Sequence, residues 1–506
     1  MAWRIRTLDR PVDSAIPGKP VLSAFSRLPV FRAIPAIPPP REWPRHPVMV
    51  AVACALAASV YSLHGLTKLR TFRTGTYDLT IFDQAVRGYA HFRPPAIPLL
   101  GVTMDRGTDY LQLADHFSPI LAVLAPLYWV HDGPATLIVA QALLFALAIP
   151  FLWLFTRRLL GTAPAYLVAV AYALSWPIAQ TVSVEFHEVA FVPVLTAAAI
   201  ERLHAGKRLP GLLALAGLLL TKEDAGLLVM GVGAWLFVTG RRRLGAAVVV
   251  AGVAALELIR KVLIPLAGGR TDERWYFSHL GADLPEVVRT AVTDPLRVLG
   301  VLVGDQAKID TTALLLWPTL FLCLLSPIAL AALPHVAERM LADAPNWWST
   351  AWHYDAFTVA ILFLAGVDGT ARLIRWLRRT GRVREPERLG LLWAVAICAV
   401  ALTLVPHRPF NELLRPDFYA PDARAAARHE ALALIPEGVV VEASNDFGPH
   451  LSGRDTVLWW DYRHRRTPWI IASAGQDLRG VIDDYVRDGY QLIFDREDIV
   501  VLRLVT

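Results

Sequence analysis

The feature that most limits what this chain can fold into is the placement of its arginines around its apolar runs. Val48 to Leu66, Pro134 to Thr156, Pro164 to Val182, Leu244 to Ile264, His353 to Ala371 and Leu389 to Val405 each hold close to the ~20 residues that carry a helix across a bilayer. Arg157-Arg158, Arg202, Lys207-Arg208, Arg241-Arg242-Arg243 and the basic stretch Arg372 to Arg388 stand at alternate ends of these runs. Basic residues collect on the cytoplasmic side of membrane proteins, so the alternation orients the runs. Composition agrees. Hydrophobic residues make up 55% of the 506 and charged ones 19%, and the mean hydropathy is +0.42. An ordinary soluble enzyme is excluded. The net charge of +6 belongs to the helix flanks, and no basic stripe with base-stacking aromatics points to nucleic acid. Cys54, Cys323 and Cys398 all lie in apolar runs and read as small core hydrophobes.

The pattern predicts a polytopic α-helical membrane protein with about nine to eleven membrane segments and a small C-terminal α/β domain. Residues 1–47 carry ten prolines and eight Lys/Arg against three acids, as in a disordered basic cytoplasmic tail. Residues 48–405 form the membrane domain, with outer loops at 67–133 and 265–310. Residues 406–506 have soluble composition, with strand patterns at Val439 to Val441, Val457 to Trp459, Trp469 to Ile471, Leu492 to Phe494 and Ile499 to Val505. Helix patterns cover Ala423 to Leu434 and Gln476 to Val486. The charge alternation places this domain on the outer side of the cell membrane, with the N-terminus cytoplasmic. Thr311 to Val336 is apolar but broken by Pro318, Pro327 and Pro334, so it is either re-entrant or paired with a weak crossing near 295–305.

The first outer loop is too long to be a mere connection, and its apolar residues argue against disorder. It carries Asp78, Asp83, Asp105, Asp109, Asp115 and His116. Glu185, His187 and Glu188 lie in the next outer turn. Leu209 to Gly240 has basic residues on both flanks and is too short for two full spans, so its apex, Lys222-Glu223-Asp224, falls below the outer headgroups. Charge is costly there unless it faces water or a partner, which implies an aqueous cavity. Arg270 and Arg274 lie in the second outer loop, and His353 and Tyr354 open an inward-running helix. Glu185, His187, Glu188, Asp115 and His116 have the side-chain types that bind a divalent metal, without a recognised spacing. Walker, GxGxxG, HExxH and GxSxG motifs are absent.

Tyr77-Asp78-Leu79-x-Ile81-Phe82-Asp83-Gln84, Asp115-His116-Phe117-Ser118-Pro119, Phe186-His187-Glu188, Lys222-Glu223-Asp224-Ala225-Gly226 and His353-Tyr354 together resemble an uncharacterised family of bacterial multi-pass membrane proteins, from about residue 50 to about 460. The layout more loosely resembles the GT-C superfamily of membrane glycosyltransferases. That likeness implies a catalytic carboxylate in the first outer loop and a polyprenyl-phosphate sugar donor. The acceptor would be a cell-envelope glycan, lipid or protein. Asp78 matches the loop acid best and Asp83 second, although Leu79 stands where a second acid is usual. Asp115, His116, Glu185, His187, Glu188, Lys222, Glu223, Asp224, Arg270, Arg274, His353 and Tyr354 become candidates for binding, with Lys222 as a phosphate clamp. No cofactor is implied beyond a possible divalent metal. The alternatives are a transporter or flippase for a lipid-linked or small anionic solute, and a non-catalytic membrane scaffold.

Overall fold

The computed structural model describes residues 45–270, 275–381 and 385–505. Most of the basic tail, and Arg274, lie outside these. Among the described residues five helices are long and apolar enough to cross a membrane: α1 (Arg45–Arg70), α3 (Pro134–Leu160), α4 (Thr162–Ser183), α10 (His353–Thr380) and α11 (Arg388–His407). α2 (Tyr77–Ala90) follows α1 in the first loop. Shorter helices complete the bundle: α5 (Phe191–His204), α6 (Arg208–Leu218), α7 (Ala225–Val238), α8 (Arg242–Leu258) and α9 (Leu333–Leu341). α10 is the axis of the fold. Every residue from Ala356 to Ala371 is buried, as expected for a helix that is apolar nearly all round and surrounded by others.

α6 and α7 would be ~16 and ~21 Å long at 1.5 Å per residue. A bilayer core is ~30 Å thick, so neither helix is long enough to cross it alone. α7 and α8 pack backbone to backbone through glycine. A Cβ on Gly252 would lie 2.7 Å from the Gly226 carbonyl oxygen, and one on Gly226 2.8 Å from that of Gly252. Small residues allow such approach between membrane helices. Gly252→Val is expected to cost about 1–3 kcal/mol through forced separation of the pair, read as a lower melting temperature of the detergent-solubilised protein. An unchanged melting temperature would mean that the pair is not tightly packed.

The proline-broken segment is neither a single span nor a loop. It forms 3-10 turns at Trp317–Thr319, Leu322–Leu325 and Pro327–Ala331, which wind against α10. Leu320 and Phe321 adopt left-handed φ of 51° and 60° between the first two. Thr319 and Leu322 press on Gly366 and Gly369 of α10, where a side chain would collide. Pro295–Val303, the weak crossing considered above, is a nine-residue helix with no buried residue.

Beyond α11 comes a five-stranded sheet of order β2-β1-β3-β5-β4, formed by β1 (Val440–Ala443), β2 (Thr456–Trp459), β3 (Trp469–Ser473), β4 (Tyr490–Arg496) and β5 (Ile499–Leu504). β1 runs parallel to β2 and β3, and β5 antiparallel to β3 and β4. Helices α12 (Ala425–Ala433) and α13 (Arg479–Arg487) accompany it. The sheet core is continuous with the first loop: Val441, Phe447, Val457 and Ile471 share one cluster with Phe72, Ile81, Ala85 and Leu99. Thr76 donates from Oγ1 to the Asn445 carbonyl (2.8 Å) and receives the Gly448 N–H (2.9 Å), while Gln84 Nε2 donates to the Val457 carbonyl (2.8 Å). The C-terminal domain therefore clamps the segment that carries Asp78.

Glu442 lies buried on β1, accepting a 2.5 Å hydrogen bond from Thr467. Burial pushes its carboxyl from 4.5 up to about 7, against the pull of Thr467 and Arg465. The folded state holds this proton more tightly than the unfolded chain, so stability falls as pH rises through that window. Glu442→Gln is expected to abolish this part of the fall and to gain about 1–3 kcal/mol at pH 8. Melts of wild type and variant at pH 5 and 8 check it, and parallel shifts in the two proteins would contradict it.

Candidate active site

The turns that carry Asp78, Glu185 and Lys222 leave their helices at the end opposite the basic hairpins. At the basic end Arg241 Nη1 donates to the Leu203 carbonyl (2.6 Å), and Arg158 pairs with Glu201. At the other end two hollows open. An inner cavity of about 250 Å³ is lined by Asp115, His116, Lys222, Glu223, Asp224, Arg260, Arg270, His335, Glu338, Arg339, Trp347 and Tyr354, among others. An outer cleft of about 490 Å³ is lined by Arg73, Tyr77, Asp78, Glu185, Trp352, Asn445 and Asp446, among others, between the first loop and the C-terminal domain.

Asp78 sits where these hollows approach each other. Its Oδ2 lies 3.3 Å from His187 Nε2. His187 stacks on His353, ring centroids 3.7 Å apart, and His353 contacts Tyr354 at 4.3 Å, which lines the inner cavity. The link from Asp78 to the cavity is thus made of imidazoles and a phenol, not of packed aliphatic side chains. His187 Nδ1 lies 2.7 Å from the Glu185 carbonyl, an acceptor only. With Nε2 facing a carboxylate, both ring nitrogens must donate, and the ring is an imidazolium. Burial opposes that charge, but Asp78 and Glu188 outweigh it and raise the His187 pKa. Burial likewise opposes ionisation of Asp78. His187 first, then Lys222 and His116, hold it below the ordinary carboxylate value. The two groups form a charged pair at neutral pH.

Lys222 is nearly buried and lies 2.9 Å from Glu188 Oε1. Burial opposes its charge, but Glu188, Asp224 and Glu223 keep its pKa above the ordinary lysine value. The same partnership holds Glu188 ionised despite its burial. His116 Nδ1 meets Glu223 Oε1 at 2.7 Å, and Glu223 Oε2 also receives the Phe117 N–H (3.3 Å), which ties the end of the first loop to the hairpin apex. Glu185 accepts the Gly75 N–H at 2.6 Å and orients the turn before α2.

Asp83 is turned away from this group. It is fully buried, receives the Tyr128 hydroxyl at 2.7 Å and Arg87 Nη2 at 3.0 Å, and lines neither hollow. Arg87 also reaches the Ser452 carbonyl and Asp132 (2.9 Å), so the pair joins α2 to its neighbours. Five residues on from Asp78, it falls on another face of the helix. The metal-binding types in the sequence do not converge on one point either. His187 is held by Asp78 and a carbonyl, Glu188 by Lys222, and Glu185 by a backbone amide. Sequence reasoning missed Arg260, His335, Glu338 and Arg339. The His-x-x-Glu spacing at 335–338 puts two polar groups on one helix face and was the available sign of the latter group.

The chain belongs to the DUF2079 family of predicted membrane proteins, which it matches over residues 68–485. No curated protein matches it. Among solved structures it is similar to ArnT from Cupriavidus metallidurans bound to undecaprenyl phosphate, with 12% identity, 91% of this chain and 99% of that chain covered, and a TM-score of 0.50. It is more distantly similar to the oligosaccharyltransferase of Archaeoglobus fulgidus, with 12% identity, 83% and 68% covered, and a TM-score of 0.42. The likeness to ArnT is one of fold, and the fold is GT-C-like.

Proposed function

From this family and fold we propose that the protein is a membrane glycosyltransferase that moves a sugar from a polyprenyl-phosphate donor to a cell-envelope acceptor. One observation carries the proposal: an ionised carboxylate, Asp78, lines a polar cleft beneath the C-terminal domain and connects through His187, His353 and Tyr354 to a cavity within the membrane domain that is lined by cations and acids together. The cavity suits the donor phosphate. Lys222, Arg260, Arg270 and Arg339 line it. Arg339 Nη1 is held by Asp355 at 2.9 Å, while its Nη2 is buried without a partner, a donor ready for a phosphate oxygen. The cleft suits the acceptor. In the reaction the acceptor hydroxyl attacks the anomeric carbon, the bond from that carbon to the phosphate oxygen breaks, and polyprenyl phosphate leaves with the bonding pair. Asp78 takes the hydroxyl proton as the new bond forms. Its lowered pKa makes it a weak base, but one that is always deprotonated, and it acts late, once the attacking oxygen has become acidic. His187 positions it. Lys222 and Arg339 stabilise the charge that gathers on the leaving phosphate. The similar ArnT structure holds undecaprenyl phosphate, which supports a donor of this class.

The outer face is the proposed place of transfer, with the C-terminal domain extracytoplasmic and the N-terminus cytoplasmic. Cysteines placed at the exposed positions Phe92 and Glu437 are expected to label with an impermeant reagent from outside intact cells. Labelling only after the inner face is opened would reverse the orientation. The function is tested with purified protein and a panel of polyprenyl-phosphate sugars by following release of polyprenyl phosphate. No release from any donor, with or without candidate acceptors, would count against the reaction class.

A further inference from the structure

The inner cavity contains a second chemical feature that glycosyl transfer as proposed does not use. Asp224, at the start of α7, and His335 and Glu338, one turn apart on α9, each offer a ligand atom, and these atoms lie within 4.8 Å of one another. His335 is 1% exposed, and its Nδ1 is buried without a hydrogen-bond partner, as is Asp224 Oδ1. A buried polar atom without a partner costs about 1–3 kcal/mol, so two in one cluster call for a ligand. The imidazole plane is held by stacking on Phe357, 4.2 Å between centroids. Lys222, on the same turn as Asp224, is drawn instead to Glu188 at 2.9 Å.

We propose that Asp224, His335 and Glu338 bind a divalent transition-metal ion of the zinc or manganese kind. One imidazole and two carboxylates match the nitrogen and oxygen preferences of these ions. Magnesium and calcium favour all-oxygen shells and fit less well. Three protein ligands leave a coordination position open to the cavity, the arrangement of reactive rather than purely structural metal sites. Ligand atoms at ~2.1 Å around a tetrahedral ion lie ~3.4 Å apart. The most widely spaced of these side chains, within 4.8 Å of one another, therefore close by up to about 1.4 Å on binding. The site shares the inner cavity with Asp115 and His116, but its test does not depend on the glycosyl-transfer proposal, because metal binding is read without donor.

The test uses the full chain in detergent, stripped with a chelator, loaded with zinc chloride and dialysed, with metal counted by mass spectrometry. Manganese titration followed by electron paramagnetic resonance gives the affinity. Wild type is expected to keep one equivalent and to melt higher with metal than without. His335→Ala and Glu338→Gln are expected to lose at least ~10-fold in affinity, the loss seen even for a supporting partner of a ligand. The metal-induced rise in melting temperature should vanish with it. Asp483→Asn, an exposed acid on α13, is the control and should match wild type. If His335→Ala does not fold, Asp224→Asn takes its place. No retained metal in wild type, or variants that bind like Asp483→Asn, would overturn the site.

Discussion

Asp78→Asn is expected to lower the rate of sugar transfer by about 10²- to 10⁴-fold, the range for loss of a positioned general base, with little change in donor affinity. Asparagine keeps the shape and can still accept a hydrogen bond, but it cannot take the proton. The carboxylate is partly open to the outer cleft and pairs with His187 at 3.3 Å, so its loss also leaves a buried imidazolium without its counter-charge. That second effect has its own readout. His187 and Lys222 lower the Asp78 pKa, and Asp78 in turn raises that of His187. The rate should therefore fall on the acid side only below the ordinary carboxylate value, as Asp78 is protonated. It should fall on the alkaline side above about 6.5, the ordinary histidine value, as His187 loses its charge. His187→Gln removes the largest influence holding Asp78 down, so its acid limb should move to higher pH while some turnover persists. Turnover equal to wild type in Asp78→Asn would remove the assignment. An acid limb unmoved in His187→Gln would leave Asp78 acting without its neighbour.

Lys222→Met is expected to act differently. A cation that holds the leaving phosphate contributes to donor binding and to the transition state, and removal of one such donor costs about 10²- to 10³-fold. The Michaelis constant for the donor should rise and the rate should fall. The variant also strands the carboxylate of Glu188, whose side chain is 1% exposed. Breaking a buried pair from one side costs about 3–5 kcal/mol, and the neighbouring cavity, which admits water, brings this toward the lower end. The two losses can be separated. Lys222→Met combined with Glu188→Gln removes the stranded charge, so the melting temperature should recover while the donor defect stays. A well-folded double variant that handles donor like wild type would take Lys222 out of the phosphate site. Transport of a lipid-linked solute, the chief alternative, gives a different pair of outcomes: the Lys222 variant fails while Asp78→Asn works normally.

The membrane architecture was legible in the sequence because it rests on one-dimensional patterns. An apolar run must reach across a hydrocarbon layer of fixed thickness, and arginines mark one face of it. Those two rules located α1, α3, α4, α10 and α11, and the short hairpin that carries Lys222. Alternating strand patterns and turn residues located β1 to β5 in the same way. The first outer loop stood out as too long to be idle, and the resemblance to GT-C enzymes ranked Asp78 first among its acids. What the sequence could not contain is which polar groups face each other, since burial and charge pairing are set by chain segments far apart. Asp78 and Asp83 look alike in the sequence. Only the fold shows that the first meets His187 at the edge of a cleft, while the second is buried against Tyr128 and Arg87. Glu188 and Lys222 become partners because the turn after α4 and the apex before α7 meet at one depth. His335, Glu338 and Arg339 lay in a segment whose prolines concealed its path, until winding against α10 brought α9 to the cavity wall. Length and hydropathy act locally and are written along the chain. The electrostatics of the site depend on distances of a few ångströms between remote residues, which exist only once the chain has packed.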